Sequence, residues 1–319
     1  MTPFEMPWTP PGEILRIEGR GEFFLRHHRH PDPGRPTVLL LHGWTASSDL
    51  QFVTAYRGLS AEFNVVGVDH RGHGRGLRSP DTFELEDVVD DAAAVCRALG
   101  VRRVVAVGYS MGGPLTLLLA RRHPELVAGA VLQATAMEWR ATRWERVKWG
   151  FLTLAGPWLR SRGYRWYLRR SVPKLFHVDS EWRPYVPWMI SELSRNDPHA
   201  VVEAGRALSR YDARPWAGTL GLPAGVLVTT KDRLVRPSKQ RAQAEVLRAT
   251  VRELAADHLA PLTDADEYTR LTVELVAVVA SSAQTAAAAP LPSAESSVST
   301  ASAVPPMPAA PMPVPPPGS

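Results

Sequence analysis

Two kinds of hydrophobic pattern alternate along most of this chain. Short, unbroken apolar runs occupy 37–41 (T-V-L-L-L), 64–69 (N-V-V-G-V-D), 103–108 (R-V-V-A-V-G), 126–133 (L-V-A-G-A-V-L-Q), 225–230 (G-V-L-V-T-T) and 250–254 (T-V-R-E-L). Runs this short and rich in valine read as strands, and an unbroken run fits a strand buried on both faces. Between them lie segments with apolar residues at helical spacing. One covers 85–99, with acidic residues in its first turns and Gly100 as its stop. Others are a helix from the end of the third run to His123-Pro124, one over 238–247, and a closing helix over 264–280. The last has Thr263 or Asp264 as N-cap and aligns Leu271, Leu275, Val276 and Val279. Two loosely alternating segments, 14–18 and 22–28, flank Gly19-Arg20-Gly21 and predict a hairpin at a sheet edge. Strand and helix in regular alternation predict an α/β fold with a mostly parallel, doubly wound sheet.

The alternation stops at 138–216. Eight of the ten tryptophans fall there, mixed with arginine and broken by Pro157, Pro173, Pro184, Pro187 and Pro198, with no sheet-like run. Short amphipathic helices inserted between two core strands account for that pattern. The core domain is therefore expected over 1–137 and 217–280, with 138–216 as the insertion. From 281 to 319 the chain is alanine, serine and proline without periodicity, a composition that cannot pack a core and is expected to be disordered.

Composition narrows the class. At 319 residues and 45% hydrophobic content the chain can bury a large core. Cys96 is the single cysteine, so no intramolecular disulfide forms. The N-terminus has neither a basic nor an apolar signal region, which points to the cytoplasm. The formal charge is +5, with arginine far outnumbering the four lysines, as expected of a compositional background rather than a binding patch. No zinc spacing, helix-turn-helix pattern or basic-aromatic sheet motif appears, so nucleic acid is not an expected partner. The arginine and tryptophan of 138–216 leave association with an anionic membrane surface possible, but they lack a sustained apolar face and it is not indicated.

The candidate chemistry begins at Gly108-Tyr109-Ser110-Met111-Gly112, a G-x-S-x-G directly after an apolar run and directly before a helical one. Glycines two before and two after Ser110 remove side chains that would collide, so a tight strand-to-helix turn pushes its hydroxyl outward. The Met111 N–H, at the helix N-terminus, points into the same space and can stabilise an oxyanion. Asp232 follows the 225–230 run, at the carboxyl edge where open α/β sheets bind ligands. His258 lies in the loop after the last run. A serine hydroxyl needs a base to take its proton, and a histidine oriented by a carboxylate supplies one. Asp257 competes with Asp232 for that orienting role, but adjacency to His258 turns its side chain away. Asp69, His70 and His73 lack a second ligand cluster, so no metal is expected, and the chemistry calls for no organic cofactor.

The strand-turn-helix around Ser110 resembles the nucleophile elbow of the α/β-hydrolase fold, and the order Ser110, Asp232, His258 matches that family's triad. The resemblance covers about residues 12 to 280. It implies that the segment His42-Gly43-Trp44, after a strand, supplies the second oxyanion N–H from Trp44. It also implies that 138–216 is a cap over the serine and that Asp69-His70-Arg71-Gly72-His73-Gly74 is a structural loop, in which Asp69 and Arg71 are expected to pair. Serine rather than aspartate at the elbow disfavours haloalkane dehalogenases and epoxide hydrolases. Carboxylesterases, monoacylglycerol lipases, carbon–carbon bond hydrolases and cofactor-free perhydrolases remain. The apolar cap favours a small-molecule ester with a hydrophobic acyl or alcohol part, cleaved through an acyl-enzyme. A non-catalytic binding protein that keeps the triad as scaffold is the alternative from another class.

Overall fold

The computed structural model describes residues 6–154, 158, 161–175 and 181–288. The apolar runs form the centre of an eight-stranded sheet. Its strands are β1 (Gly12–Ile17), β2 (Gly21–His28), β3 (Thr37–Leu41), β4 (Asn64–Val68), β5 (Val104–Tyr109), β6 (Val127–Gln133), β7 (Ala224–Thr229) and β8 (Thr250–Leu254), ordered β1-β2-β4-β3-β5-β6-β7-β8. β1 and β2 form the expected antiparallel hairpin, β2 also runs antiparallel to β4, and every other pair is parallel.

Parallel neighbours need crossovers, and these are helices on both faces. In β3 the side chains divide with period two: Leu39 and Leu41 join one apolar cluster, Val38 and Leu40 the other. The first face carries α3 (Leu85–Ala98) and α4 (Gly112–Arg122), from which Val88, Val89, Leu115 and Leu119 pack inward. Two short helices that the hydrophobic pattern does not announce, α1 (Ser48–Phe52) and α2 (Ala55–Ser60), lie between β3 and β4. They bring Phe52, Tyr56 and Leu59 to the second face.

Between β6 and β7 run α5 (Arg143–Leu154), α6 (Arg162–Ser171), α7 (Val186–Ser194) and α8 (Pro198–Arg210). Among the described residues of 138–216 the only β pairing is one bridge between Glu138 and Asp212. After β7 come α9 (Pro237–Leu247), then β8, the single-turn α10 (Ala260–Thr263) and α11 (Ala265–Ala288). α11 buries Tyr268, Leu275, Val276 and Val279 on the second face.

The boundary expected at 280 is eight residues too early. α11 continues to Ala288 because S-S-A-Q-T-A-A-A contains no helix breaker and is rich in alanine, and Ala283 is still buried. The remainder of the predicted tail, 289–319, lies outside the described residues. Among the described residues no helix is long and apolar enough to cross a membrane.

Candidate active site

Ser110 follows the last residue of β5 and has φ 53°, the left-handed region that a non-glycine residue enters only under constraint. Close packing supplies the constraint. A Cβ on Gly108 would run into the Gly112 carbonyl, and one on Gly112 into the carbonyl of Leu41 on β3. Ser110 is further held by its N–H to the Gln133 carbonyl (2.9 Å) and by the Thr135 hydroxyl to its own carbonyl (2.6 Å).

His258 stands over the serine. Its Nε2 is 3.0 Å from Ser110 Oγ, and its Nδ1 is 2.7 Å from Asp232 Oδ2. The Tyr109 hydroxyl donates to the His258 carbonyl at 3.0 Å, so the residue beside the serine also fixes the loop that carries the imidazole. Asp232 is 4% exposed, and both of its oxygens are used. Oδ1 accepts from the Leu234 and Val235 N–H groups at 2.8 and 2.9 Å, while the Thr229 hydroxyl donates to Oδ2 at 3.0 Å. Burial works to raise its pKa, but the hydrogen bond and charge of His258, with the two backbone N–H groups, hold the carboxyl below its ordinary range. Gln240 on α9 steadies this loop by donating to the Val235 carbonyl at 2.8 Å. Asp257 instead accepts from the Leu259 N–H at 2.7 Å, a local turn.

The Trp44 and Met111 main-chain N–H groups are free of protein acceptors among the described residues. The Gly43 N–H, by contrast, is taken by Gln51 Oε1 at 3.3 Å. Both Trp44 and Ser110 line one cavity of about 480 Å³. The Trp44 indole donates to the Val201 carbonyl of α8 at 2.8 Å, so the ring both lines the cavity and fastens an inserted helix.

His42 is fully buried in the turn between β3 and Trp44. Its Nε2 accepts from the His70 N–H at 3.0 Å and its ring stacks on His70 at 3.8 Å. The expected pairing of Asp69 with Arg71 does not form. Arg71 reaches Asp91 on α3 at 2.8 Å, because an i,i+2 spacing in this turn sends the two side chains apart. Asp69 accepts instead from the Ser48 N–H (2.7 Å) and the Arg75 N–H (2.8 Å), which pins α1 to the loop after β4. Burial pushes its pKa up to about 6, against those hydrogen bonds.

The family model described as alpha/beta hydrolase fold matches residues 36–265, a span running from β3 to the start of α11. The chain belongs to the α/β-hydrolase fold family. Solved α/β-hydrolase structures superimpose over most of it: an enol-lactonase from Burkholderia xenovorans LB400 at TM-score 0.71 and 22% identity, covering 83% of this chain and 100% of the other. A thermophilic esterase from Thermogutta terrifontis gives TM-score 0.71 at 22% identity, covering 84% and 99%. These likenesses establish the fold. Among curated proteins, a bifunctional esterase/perhydrolase from Acinetobacter calcoaceticus is 40% identical over 98 residues, 30% of this chain and 36% of that protein. The matched stretch thus spans little more than a third of that relative's length. The AB hydrolase superfamily protein YisY of Bacillus subtilis is 21% identical over 235 residues, 70% of this chain and 82% of that one.

Sequence reasoning missed the groups that join the inserted helices of this α/β-hydrolase to its sheet. Asn196 donates its amide to the Thr45 carbonyl and accepts from the Gly74 N–H at 2.8 Å, bridging two loops at the sheet edge. Glu192 on α7, 1% exposed, accepts from Arg75 Nη2 at 2.9 Å and from the Ser47 hydroxyl at 2.7 Å. Arg75 also meets Asp49 at 3.1 Å, and Asp49 is gripped by Arg26 of β2 at 2.8 and 2.7 Å. These partners are more than a hundred positions apart for Glu192 and Arg75, so no local motif announces them.

Proposed function

We propose that the protein is a serine hydrolase that cleaves carboxylic esters with a hydrophobic acyl or alcohol part. One observation carries this reading: a hydrogen-bonded chain from Asp232 through His258 to Ser110 opens into a mostly apolar cavity beside two unengaged N–H groups. In this reading His258 Nε2 takes the Ser110 proton as Oγ attacks the ester carbonyl, and the imidazolium is stabilised by Asp232. The tetrahedral oxyanion is held by the Trp44 and Met111 N–H groups, each worth about 3 kcal/mol of barrier. His258 then protonates the leaving alcohol, and water enters by the same route to release the acid. No step needs a metal or organic cofactor.

The helices of 138–216 act as the cap, supplying Trp139, Trp149, Val172, Met189, Leu193 and Leu208 to the cavity wall. Such a wall suits an aliphatic or aromatic chain. A fluorophosphonate probe tests the reading directly. Covalent labelling of wild type, lost in Ser110→Ala, supports it; a folded wild type that is never labelled and turns over no ester refutes it. A panel of acyl esters of increasing length set against 1,5-diketone substrates separates ester from carbon–carbon bond hydrolysis.

A further inference from the structure

Apart from Thr45, Gln51, Tyr109, Ser110 and His258, the polar side chains that line the cavity gather at one place. There Lys239 Nζ of α9 lies 2.9 Å from Glu138 Oε1 and 2.6 Å from Glu145 Oε1 of α5. Among the described residues lining the cavity these are the only permanently charged side chains. Glu138 Oε2 also accepts from Lys239 Nζ at 3.0 Å and from the Ala141 N–H at 3.1 Å, while Glu145 Oε2 accepts from the Thr142 N–H at 3.0 Å. Burial opposes the charge on Glu145, but Lys239 and the Thr142 N–H outweigh it and hold its pKa below the ordinary range. One ammonium between two carboxylates leaves a net negative charge at the wall.

Three indoles line the same cavity. Trp139 and Trp149 meet edge to face with centroids 6.2 Å apart, and Trp44 lies 5.7 Å from Trp149. Indole faces attract cations, and most strongly where water is excluded. Glu145 and Thr142 cap the start of α5 reciprocally, and the two carboxylates with their one ammonium still carry one net negative charge at the cavity wall, which a bound cation neutralises. A neutral chain end gains nothing from that charge, and a carboxylate end is repelled by it.

We propose that Trp139, Trp149, Glu138 and Glu145 form a subsite for a quaternary or otherwise alkylated ammonium group, so that the preferred ester carries a cation on its acyl or alcohol part. This rests on the ester hydrolysis proposed above. The subsite makes the cavity selective by charge rather than by length alone.

Matched p-nitrophenyl esters ending in trimethylammonium, tert-butyl or carboxylate, in a series of chain lengths, test the idea. At the best length kcat/KM for the cationic ester exceeds that of its tert-butyl isostere by roughly tenfold or more, and the carboxylate ester is poorest. Glu145→Gln and Trp139→Leu each pull the cation-to-isostere ratio towards unity. A general loosening of the cap does not change that ratio, because both substrates share one reacting ester. Equal or better use of the tert-butyl ester at every length overturns the subsite and leaves the hydrolase reading standing. Calorimetric titration of Ser110→Ala with hexyltrimethylammonium, with hexanoate as anionic control, reads the subsite without turnover. Cation binding there upholds the subsite even if no ester is cleaved, and no preference for the cation overturns it.

Discussion

Ser110 pays for its exposure with backbone strain. A non-glycine residue held at φ 53° costs on the order of 1–3 kcal/mol. Ser110→Gly is accordingly expected to raise the thermal midpoint while abolishing ester turnover, as differential scanning fluorimetry beside an ester assay reports. Asp232 and Asp257 make the complementary pair of tests. Asp232→Asn leaves His258 in the wrong tautomer and is expected to lower kcat by about 10³–10⁴-fold. Asp257→Asn, at a side chain that accepts from the Leu259 N–H in a local turn, is expected to stay within a few-fold of wild type in the same assay. At this scale much of the candidate site's geometry was legible in the sequence. The serine, aspartate and histidine each sit where a strand ends, and the geometry brings the three together. The Asp69–Arg71 pairing failed because proximity in sequence is a poor guide in a turn. Asp91, the partner Arg71 finds, is twenty positions away on a helix that packs over it.

The stacked loops after β3 and β4 give the element scale its clearest consequence. Burial drives His42 well below the ordinary imidazole range, His70 down to about 3 and His73 to about 4, so all three are neutral in the fold. An unfolded chain binds protons at these histidines near pH 6.5, whereas in the folded one His70 and His73 do not until about pH 3 and 4, and His42 is shifted in the same direction. Stability from this cluster is therefore present above pH 6.5 and is lost as pH falls towards 4. Asp69, raised to about 6, acts in the opposite sense over part of that window, since its folded form takes up a proton before the unfolded one does. With three histidines against one carboxyl, the urea midpoint is expected to drop steadily from pH 7 to pH 5, and less steeply in His73→Gln. The long apolar runs and amphipathic helices were readable because one periodicity spans each of them. α1, α2 and α10 were not, because helices of four to six residues are too short to show a period and are fixed by what they pack against.

Across the whole molecule, a chain of charges from Arg26 through Asp49 and Arg75 to Glu192, with both carboxylates buried, runs from β2 to α7. Breaking it at Glu192, which is 1% exposed, leaves Arg75 without its partner on α7. Glu192→Ala is expected to cost about 3 kcal/mol in urea unfolding, and Arg75→Met in the same chain to recover part of that loss. Such long-range pairs were invisible in the sequence, since nothing local marks which of the chain's many charged residues is buried. The sheet order carries a different message. The first six strands occupy one contiguous stretch of the sheet, and β7 and then β8 are added in turn at its edge. The partners that hold the elbow's backbone, from Leu41 to Thr135, are therefore synthesised long before a growing chain has reached residue 258. Ser110 and His258, 148 positions apart, meet only when the last strand docks. During synthesis the serine is therefore expected to be in place before its base, and nascent chains that stop short of residue 258 are expected to show no ester turnover, as a release assay on truncated chains reports.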